Sequence, residues 1–448
     1  MYKNNKLVQA VVEVVDTLGV TGSNKLVTTL NSILTELFYG LRPKRITIIS
    51  EEKHEEAFIK KIRDALVALG INVEVDEIVI GKDPGEWAER LKGRENSFSV
   101  IDITPGRKYM SIMLSKLNSK IRYVYLKEES EGYRIFGYVS PKKVEVWELY
   151  PRPRVINKME QPKPSKEGRE TILKSDSITA FINILDAIGE VTIRPKRRNS
   201  ISDYTPNWYD VEVGNKDKMV EAIMKDQTFN LCASRSGMIR FKGEDEVKEK
   251  IEDGANICFD TNVIISIGHR IFDDIGNKRY LSIPLFSVYN ELKNHSMNYQ
   301  RNKTDRKTML FILGLHSFNK MYSAMRSPSK SSGDVPIIKE VTSLKVSSLR
   351  PVLVTMDKSL GERAGLSRIE YIVIDRSKPR YLENPRGSIG KLLSCLSSFS
   401  DVSIEVNGEE VATIVNRSSE FQFSHDGAHI IPTSKDFNYV EMLKAAEL

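Results

Sequence analysis

Two stretches of the chain alternate short β-rich runs with helix-forming runs, and this alternation constrains the fold more than any other feature of the sequence. Across residues 1–150 the candidate strands are Leu7–Val15, Arg45–Ser50, Asn72–Ile80, Ser99–Ile103 and Arg122–Lys127. The helix-forming runs between them are Leu26–Tyr39, His54–Leu69, Glu86–Lys92 and Lys108–Leu117. Strands joined through helices run parallel, because the helix returns the chain to the edge from which it started. The region therefore predicts an α/β fold with a doubly wound parallel sheet, and two further strands are expected at Tyr133–Val139 and Val144–Tyr150.

The same alternation resumes after Asn256 and predicts a second α/β region. Its candidate strands are Ile257–Phe259, Tyr280–Ile283, Val352–Thr355 and Tyr371–Ile374. Its candidate helices are Leu285–His295, Arg306–Met325, Ser359–Ala364 and Ser388–Ser397, with a Ser-rich loop at Arg326–Asp334. The chain then predicts a terminal β-hairpin, Val402–Val406 and Glu410–Val415, because Asn407-Gly408 favours a tight two-residue turn.

A Pro- and Lys-rich stretch, Pro151–Lys166, separates the two α/β regions and predicts a domain boundary. A chain of 448 residues is too long for one ordinary hydrophobic core. We expect a first domain over residues 1–150, a small α+β linker domain over 151–250, a second α/β domain over 251–400 and a hairpin extension over 401–448. The fold of the linker domain stays open between a small α+β and a winged-helix arrangement.

Composition narrows the class of protein and of partner. The 67 Lys and Arg residues exceed the 60 Asp and Glu residues, giving a formal charge of +7, which permits a polyanionic partner without requiring one. The three cysteines form no CxxC pair, so neither a disulfide framework nor a zinc knuckle is expected. The sequence shows neither a signal-peptide pattern nor a long apolar run, so we expect a cytoplasmic protein without a membrane span.

Four acidic residues of the second α/β region occupy positions that favour a shared cleft. Asp260, Asp357 and Asp375 each follow an apolar strand, and Glu291 lies on a candidate helix. The carboxyl ends of parallel strands open onto the ligand crevice of such a sheet. Carboxylate oxygens are the ligands that Mg²⁺ and Mn²⁺ prefer, although each Asp could instead simply cap the helix that follows it. Metal-assisted cleavage of a phosphodiester is the chemistry that this set would support.

The residues around these acids resemble the motifs of the PIN-domain nucleases over roughly residues 255–400. The similar segments are Phe259–Ile264, Tyr289–Leu292 and Val354–Leu360. The resemblance implies ribonuclease activity with Mg²⁺ or Mn²⁺, metal binding by Asp260, Glu291 and Asp357, and by position a supporting role for Asp375. It also implies that Thr261, Asn262 and Thr355 orient those carboxylates through hydrogen bonds. The distance in sequence from Glu291 to Asp357 is longer than in compact members of the family.

In the first region, the segment Val100–Met110 runs from a strand through Thr104-Pro105-Gly106 into a candidate helix. Thr104 is expected to cap that helix, with Pro105 at its first position. The N–H groups at the helix start and the charges of Arg107 and Lys108 favour binding of an anion, although the segment is not a Walker loop. A second polar loop, Asp16–Asn24, is expected at the same edge of the sheet.

Residues 1–150 resemble the CARF domain, the Rossmann-like sensor of CRISPR-associated effectors, through the pattern Asp102-x-Thr104-x-Gly106-x-Lys108. The resemblance implies a homodimer that binds a cyclic oligoadenylate, most often the tetra-adenylate. By position the ligand contacts would be Thr104, Gly106, Arg107 and Lys108, with Thr21, Gly22, Ser23 and Asn24 closing on it. Some relatives cleave their own ligand, and Lys108 would be the residue to suspect.

Together the two resemblances favour a cyclic-oligoadenylate-regulated, metal-dependent endoribonuclease of type III CRISPR defence. Two other functions stay open: a ligand-responsive transcription regulator that uses the basic cluster Arg194–Arg198, and a ring nuclease that destroys cyclic tetra-adenylate. A surface basic cluster is more often simply solvated. His295 is expected to be a structural residue rather than a metal ligand.

Overall fold

The computed structural model describes residues 12–127, 134–157, 159–164, 168–196, 203–298, 304–322, 331–347, 349–382, 388–416 and 427–447. The chain forms two compact units. The first unit contains Met1–Glu190, Glu410–Ala412 and Ile430–Leu448, and the second contains Val191–Glu409 and Thr413–His429. The segment predicted as a linker domain is therefore divided between the two units.

The first unit is built on a seven-stranded sheet. Its strands are β1 (Glu13–Thr21), β2 (Leu41–Ser50), β3 (Glu74–Val79), β4 (Val100–Asp102), β5 (Lys120–Leu126), β6 (Val144–Tyr150) and β7 (Arg154–Ile156). They lie in the order β3-β2-β1-β4-β5-β6-β7. The first five are parallel and the last two antiparallel, which confirms the predicted doubly wound sheet.

Six helices of the first unit lie in the part of the chain that the structure describes. They are α1 (Leu26–Phe38), α2 (Glu56–Ala68), α3 (Pro84–Arg90), α4 (Lys108–Leu114), α5 (Ser175–Ile188) and, near the end of the chain, α16 (Val440–Ala446). A short strand, β8 (Thr171–Lys174), precedes α5. In α1 almost every residue is buried, whereas α2 buries one face, and α16 packs against α2, α5 and β8.

An ionic cluster lies inside the first unit. The buried Arg122 of β5 contacts Glu36 of α1 at 2.7 Å, Glu13 of β1 at 2.5 Å and Glu148 of β6 at 3.7 Å. Burial raises the pKa of Glu36 to about 7 even though Arg122 is beside it. Buried charges need close partners of opposite sign, so this cluster ties three strands and a helix into one arrangement.

Three predictions for the first unit were wrong. The first strand ends at Thr21 rather than Val15, because Leu18 and Val20 are buried beside β2 and β4. Much of the expected polar loop is therefore strand. The described part of the segment predicted as a strand at Tyr133–Val139 consists of bends and turns. The prolines after Tyr150 do not end the domain, since β7 follows them at the edge of the sheet, where proline is tolerated.

The second unit contains a three-stranded parallel sheet in the order β12-β13-β14 and an antiparallel pair of β11 and β15. These strands are β11 (Ile239–Lys242), β12 (Asn256–Phe259), β13 (Pro351–Thr355), β14 (Glu370–Val373) and β15 (Asp375–Tyr381). Elsewhere in the unit, β9 (Val191–Lys196) pairs antiparallel with β10 (Val211–Glu212) and with β16 (Asp401–Val406). The predicted parallel α/β architecture of this region is confirmed, on a small sheet.

Ten helices of the second unit fall within the described residues. They are α6 (Lys216–Lys225), α7 (Gln227–Ser236), α8 (Glu244–Glu252), α9 (Thr261–Ile267), α10 (Arg270–Ile275), α11 (Phe286–Ser296), α12 (Arg306–Tyr322), α13 (Asp334–Val346), α14 (Lys358–Leu366) and α15 (Ser388–Leu396). Helix α7 packs against α9 and α15, so this part of the predicted linker segment belongs to the core of the second unit rather than to a separate winged-helix domain.

The structure departs from the predictions for this unit at four places. Tyr280–Ile283 is not a strand: a 3₁₀ turn covers Gly276–Leu281, and Ser282 makes only an isolated bridge to Ile257. Helix α13 begins inside the predicted Ser-rich loop, of which residues 326–330 lie outside the described part. Arg194 lies in β9 and pairs with Asp210 and Glu405, while residues 197 and 198 of the basic cluster are not described.

The fourth departure concerns the cysteines. Cys232 of α7 and Cys395 of α15 form a disulfide, which contradicts the expectation of none. The two cysteines are 163 residues apart in sequence, but packing of α7 against α15 brings their Cα atoms to 5.5 Å. Sequence spacing alone could not reveal this proximity. Cys258, the remaining cysteine, is buried.

The predicted terminal hairpin is present. Strand β16 neighbours β17 (Glu409–Val415) in the sheet, and Asn407 and Gly408 connect them with φ values of 51° and 85°. Both residues tolerate this left-handed conformation better than others do. The remaining strand is β18 (Gly427–Pro432). None of the helices in the described part of the chain has the length and apolar character that crossing a bilayer requires.

The hairpin turn yields a stability prediction. Replacing Gly408 with Ala should lower the free energy of unfolding by about 1–2 kcal/mol, the cost of a left-handed conformation for an L-residue. A new Cβ would meet no atom within 4 Å, so the cost is conformational rather than steric. Chemical denaturation measures it. Asn407→Gly is the matched control and should leave stability unchanged or raise it; equal losses in both variants would contradict this account.

Candidate functional site

The acidic site of the second unit is positioned by two neighbouring parallel strands. Phe259 pairs with Val354 in register, so β12 and β13 end at the same edge of the sheet. Asp260 directly follows β12, and Thr355 is the last residue of β13. The side chains of Asp260 and Thr355 therefore meet, and Asp357 leaves the same edge two residues further on.

Asp260 is a buried carboxylate, only 3% exposed. The Thr355 hydroxyl donates a hydrogen bond of 2.9 Å to its Oδ2, and its own backbone N–H donates to the Val354 carbonyl at 2.9 Å. The pKa of Asp260 is raised to about 6, mainly by burial; the nearby carboxylates of Glu291 and Asp334 also raise it, whereas the hydrogen bonds from Thr355 and Thr261 lower it. Such a group gains from a cation beside it.

Glu291 is held close to Asp260 by Thr261, the residue that follows Asp260 in the chain. The hydroxyl of Thr261, the first residue of α9, donates to Glu291 Oε2 at 2.9 Å. Thr261 is itself buried, so it fixes this oxygen from the protein side. The dipeptide Asp260-Thr261 thus supplies one carboxylate and orients another, and the structure brings Asp260, Glu291, Thr261 and Thr355 into one hydrogen-bonded group.

The helix that carries Glu291 is capped by a residue of α13. Helix α11 has no capping side chain of its own at Leu285. Instead Glu340 accepts hydrogen bonds from the backbone N–H groups of Phe286 at 3.1 Å and Ser287 at 3.0 Å, and from the Ser287 hydroxyl. A carboxylate at a helix N-terminus satisfies unpaired N–H groups and complements the helix dipole. Glu340 therefore fixes α11, and with it Glu291, relative to α13.

Sequence reasoning missed Asp334, the first residue of α13. Asp334 contributes to the raised pKa of Asp260, and it forms an ion pair with Arg363 of α14. Its sequence signal was an acid at the start of a helix that leads into the apolar strand β13. That signal was obscured because the segment before it reads as a Ser-rich loop and no helix was predicted over residues 334–346.

Asp357 is linked to the group but serves as a helix cap. Its Oδ1 accepts hydrogen bonds from the Ser359 N–H at 2.7 Å, the Ser359 hydroxyl at 2.8 Å and the Leu360 N–H at 3.2 Å. The hydrogen bond from the Ser359 side chain is the main reason that the pKa of Asp357 is lowered. Its backbone N–H donates to Thr355 Oγ1 at 2.9 Å, the hydroxyl that also holds Asp260. The structure thus joins Asp357 to Asp260 through Thr355.

Two predicted residues lie apart from this group. Asp375 is exposed at the start of β15, opposite Lys242 of β11, and accepts a hydrogen bond of 2.8 Å from the Ser377 N–H. That bond is the main reason that the pKa of Asp375 is lowered. Asn262 is exposed and lines a cavity instead of orienting a carboxylate. His295 stacks on Phe311, with ring centroids 4.3 Å apart, as expected for a structural histidine.

The donor set of this site suits a hard cation. In the described part of the chain, no three acidic, histidine or cysteine side chains are grouped closely enough to hold a metal ion by themselves. Mg²⁺, however, is usually held by one or two carboxylates together with waters and substrate phosphates rather than by an all-protein cage. The buried Asp260, with Glu291 fixed beside it, fits that mode of binding.

The second candidate site lies where the strand order of the first unit reverses direction. The chain builds outward from β1 to β3 and then returns to place β4 on the other side of β1. Ligands of open α/β sheets bind in the crevice at such a switch point. The loops after β1 and β4 meet there: a Cβ at Gly106 would lie 2.9 Å from Thr21 Cγ2, so only glycine allows this approach.

The loop after β4 is held from beneath by Asp102. The N–H and hydroxyl of Thr104 donate to Asp102 Oδ1 at 2.7 and 2.5 Å, and Thr104 Oγ1 accepts from the Val124 N–H at 2.7 Å. Burial raises the pKa of Asp102 to about 6. The expected helix cap at Thr104 was wrong: α4 begins at Lys108, with Arg107 in the capping position. Thr104 shapes the loop, since its hydroxyl proton is already donated to Asp102.

The predicted cationic contacts lie at the rim of this crevice. Lys108 is exposed, and Arg107 is exposed with its Nε 3.4 Å from the carboxylate of Glu51. Tyr109 also donates a hydrogen bond to Glu51. Sequence reasoning missed Glu51, which follows β2 and partly neutralises Arg107. Lys108 is therefore the freer cation for an anionic ligand.

The loop after β1 is fixed by His54, another residue that sequence reasoning missed. His54 Nε2 lies 3.0 Å from the Ser23 carbonyl, and Nδ1 lies 2.5 Å from Glu77. A Cβ at Gly22 would lie 2.9 Å from the His54 ring, so Gly22 is required for this packing. Thr21 is fully buried and acts through packing, whereas Gly22, Ser23 and Asn24 lie towards the surface.

The sequence matches no family model and no curated protein. Similar solved structures include Can2 from Sulfobacillus thermosulfidooxidans in complex with cyclic tetra-adenylate, with a TM-score of 0.28 and 10% identity over 86% of this chain and 96% of that chain. Another is a type III CRISPR defence DNA nuclease activated by cyclic oligoadenylate, with a TM-score of 0.22 and 11% identity over 81% and 56%. Overlaps this low do not establish a common fold.

The pKa of Asp260 predicts a stability effect with a defined sign. Below about pH 4 the carboxyl is neutral in the folded and unfolded chains, whereas above about pH 6 both states are ionised and only the folded state bears the cost of burial. Asp260→Asn should therefore be more stable than the parent at pH 8, by up to about 3 kcal/mol. The difference should vanish near pH 4. Denaturation in EDTA at a series of pH values measures it.

Asp357→Asn is the matched control with the opposite sign. A carboxyl whose pKa is lowered by folding stabilises the folded chain above its unfolded pKa and loses that effect as the pH falls. This variant should be less stable than the parent at pH 8, with the deficit shrinking on acidification. A destabilised Asp260→Asn at pH 8 would contradict the burial of an ionised Asp260.

Proposed function

We propose that the chain is a metal-dependent endoribonuclease of type III CRISPR antiviral defence whose activity is regulated by a cyclic oligoadenylate. The observation that carries the proposal is the pair Asp260 and Glu291, fixed by Thr355 and Thr261 at the carboxyl edge of parallel strands. A buried carboxylate beside a second one is costly to keep for stability alone. Such arrangements are typical of catalytic sites.

In the proposed reaction, Asp260 and Glu291 hold Mg²⁺ or Mn²⁺. The chemistry that this cation supplies is activation of a water and stabilisation of the leaving oxygen of a phosphodiester. Thr355 and Thr261 keep the two carboxylates oriented, so that little reorganisation is needed when substrate binds. Asp357 supports Asp260 through Thr355, and Asp334 adds negative charge beside it. Asp375 contributes least to the proposed reaction because it lies apart from Asp260 and Glu291.

The regulatory half of the proposal rests on the crevice of the first unit. Gly106 allows the loop after β4 to approach the end of β1, Gly22 allows the loop after β1 to approach His54, and Lys108 is exposed. A cyclic tetra-adenylate carries several phosphates and would be bound there by a homodimer. The ligand changes nuclease activity only if its affinity differs between two states of the protein.

The transcription-regulator alternative has less support. It required residues 170–250 to form a winged helix, but that segment is divided between the two units, and α7 is part of the core of the second. Ring-nuclease activity is compatible with the crevice and is distinguished by its dependence on Lys108 rather than on Asp260.

The nuclease proposal predicts metal-dependent cleavage that requires Asp260. With Mn²⁺ and cyclic tetra-adenylate, the protein should cut labelled single-stranded RNA, and Asp260→Asn or Glu291→Gln should lower the rate by about a hundredfold or more. EDTA should abolish cleavage. Asp245→Asn changes an exposed acid of α8 and is the matched control, expected to cut at the parental rate. A parallel assay with single-stranded DNA shows whether the protein cuts RNA, DNA or both.

Cleavage that persists in Asp260→Asn would refute the assignment of the site. Asp375→Asn decides the standing of the fourth acid. A loss as large as that of Asp260→Asn would place Asp375 in the catalytic group despite its position in the structure.

The sensor proposal predicts that Lys108→Gln weakens binding of cyclic tetra-adenylate by about tenfold or more, because a charge-assisted hydrogen bond contributes about 1.5–3 kcal/mol. Isothermal titration calorimetry on the full chain measures this effect. Lys116→Gln, an exposed lysine just beyond α4, is the matched control and should bind as the parent does. Equal affinities for all three proteins would exclude Lys108 as a ligand contact.

A further inference from the structure

A cavity of about 500 Å³ opens on the surface of the second unit. Helices α9 and α12 form part of its wall through Asn262 and Phe311. Asn262 directly follows Thr261, the residue that orients Glu291, so α9 carries both a wall residue of the cavity and a residue of the carboxylate group. Neither the acidic site nor the nucleotide crevice of the first unit accounts for its lining.

Three cationic side chains line this cavity: Arg306, Lys307 and Arg376. The Arg306 guanidinium donates to the Thr228 hydroxyl at 2.8 Å, and Lys307 and Arg376 are exposed. None of the three forms an ion pair with a carboxylate among the residues that the structure describes. Most arginines of the second unit have acidic partners, such as Arg240 and Arg270. The cavity thus brings together three cations that have no carboxylate partner among the described residues.

At the N-terminus of α12, beside the cavity, backbone N–H groups already donate to carboxylates. Asp305 caps the start of α12 by accepting a hydrogen bond of 2.6 Å from the Thr308 N–H, and Asp203 accepts one of 2.6 Å from the Arg306 N–H. Carboxylates thus occupy the backbone donors. The long side chains of Arg306, Lys307 and Arg376 are the groups left to contact a phosphate.

The rest of the lining supplies an apolar surface. Met224 of α6 lines the cavity and is 66% exposed, whereas Phe311, which also lines it, is 9% exposed. His295 stacks on Phe311 and supports its ring. Cations beside an exposed apolar surface match the two halves of a nucleotide, a phosphate and a base.

We propose that this cavity binds single-stranded nucleic acid and leads the strand to Asp260 and Glu291. Arg306, Lys307 and Arg376 contact successive phosphates, while bases lie against the exposed Met224 in the apolar part of the lining. A duplex keeps its bases stacked inside and offers them to no such surface, so the apolar lining favours a single strand. The direction of the strand rests on the proposed nuclease function, but binding itself requires neither metal nor cleavage.

The test measures binding in EDTA, where no cleavage occurs. Fluorescence anisotropy of the full chain, with and without cyclic tetra-adenylate, uses labelled strands of about 12 nucleotides as RNA, DNA and duplex. For Arg306→Gln/Lys307→Gln/Arg376→Gln, affinity at low salt should fall by about tenfold or more, and the plot of log K against log salt should become shallower by about 2. Lys248→Gln, an exposed lysine of α8 outside the cavity, is the matched control and should bind as the parent does.

Because Arg306 also bonds Thr228, the variant Lys307→Gln/Arg376→Gln provides a second comparison in which only exposed side chains change. The change in salt slope relative to the parent should be about two thirds of the change seen for the triple variant. Binding of parent and variants with equal affinity and slope, or no binding of any single strand by the parent, would overturn the proposal, as would a preference for duplex. Comparison of the RNA and DNA measurements shows which of the two nucleic acids the cavity binds.

The two proposals fail in different ways. If the parent binds single strands through these cations but never cuts them, the nuclease function fails and the binding site stands. If Asp260→Asn abolishes cleavage while the triple variant still binds and cuts as the parent does, the nuclease stands and the binding site fails.

Discussion

The burial of the Asp260 carboxylate is the interaction on which the second unit's site depends. Desolvating that charge costs free energy, and the surroundings offset only part of it through the Thr355 hydroxyl. Holding Thr355 against Asp260 requires β12 and β13 to pair in their observed register. Glu291 is then set by Thr261 and by the cap that Glu340 places on α11. Two strands and three helices therefore position the two carboxylates at one edge of the sheet.

The first unit is organised around a comparable constraint. Asp102 is buried beneath the loop after β4 and holds Thr104 by two hydrogen bonds. Close by, Arg122 of β5 and Glu36 of α1 are buried as a pair. Buried charges of this kind specify one arrangement, because any shift leaves one of them without its partner. The crevice above them is shaped by the two glycines, Gly22 and Gly106, that permit close contact between loops.

Much of the architecture could be predicted from sequence because it follows from alternation. Helix-linked apolar strands give parallel sheets, and Asn407-Gly408 gives a hairpin turn. What failed depends on distance in space: Cys232 and Cys395 are joined only because α7 packs on α15. The end of β1 was misplaced because its polar residues hid a strand whose Leu18 and Val20 are buried.

The candidate sites show the same division. Asp260 and Glu291 could be found because each occupies a recognisable position relative to a strand or helix, and Thr355 and Thr261 contact them. Asp334, Glu340, Glu51 and His54 could not, because their roles arise from tertiary contacts between segments distant in sequence. Asp357 has a residue type and position that suit both a metal ligand and a helix cap, and the structure shows it making the cap's hydrogen bonds.

The central claim is that Asp260 and Glu291 together hold a divalent cation. A crystal structure of the protein soaked in Mn²⁺, with anomalous scattering recorded at the manganese edge, tests it most directly. The account predicts an anomalous peak about 2.0–2.3 Å from a carboxylate oxygen of each residue, with waters completing the coordination. A manganese ion bound elsewhere, or a well-ordered site in which Asp260 and Glu291 contact no metal at saturating Mn²⁺, would contradict it.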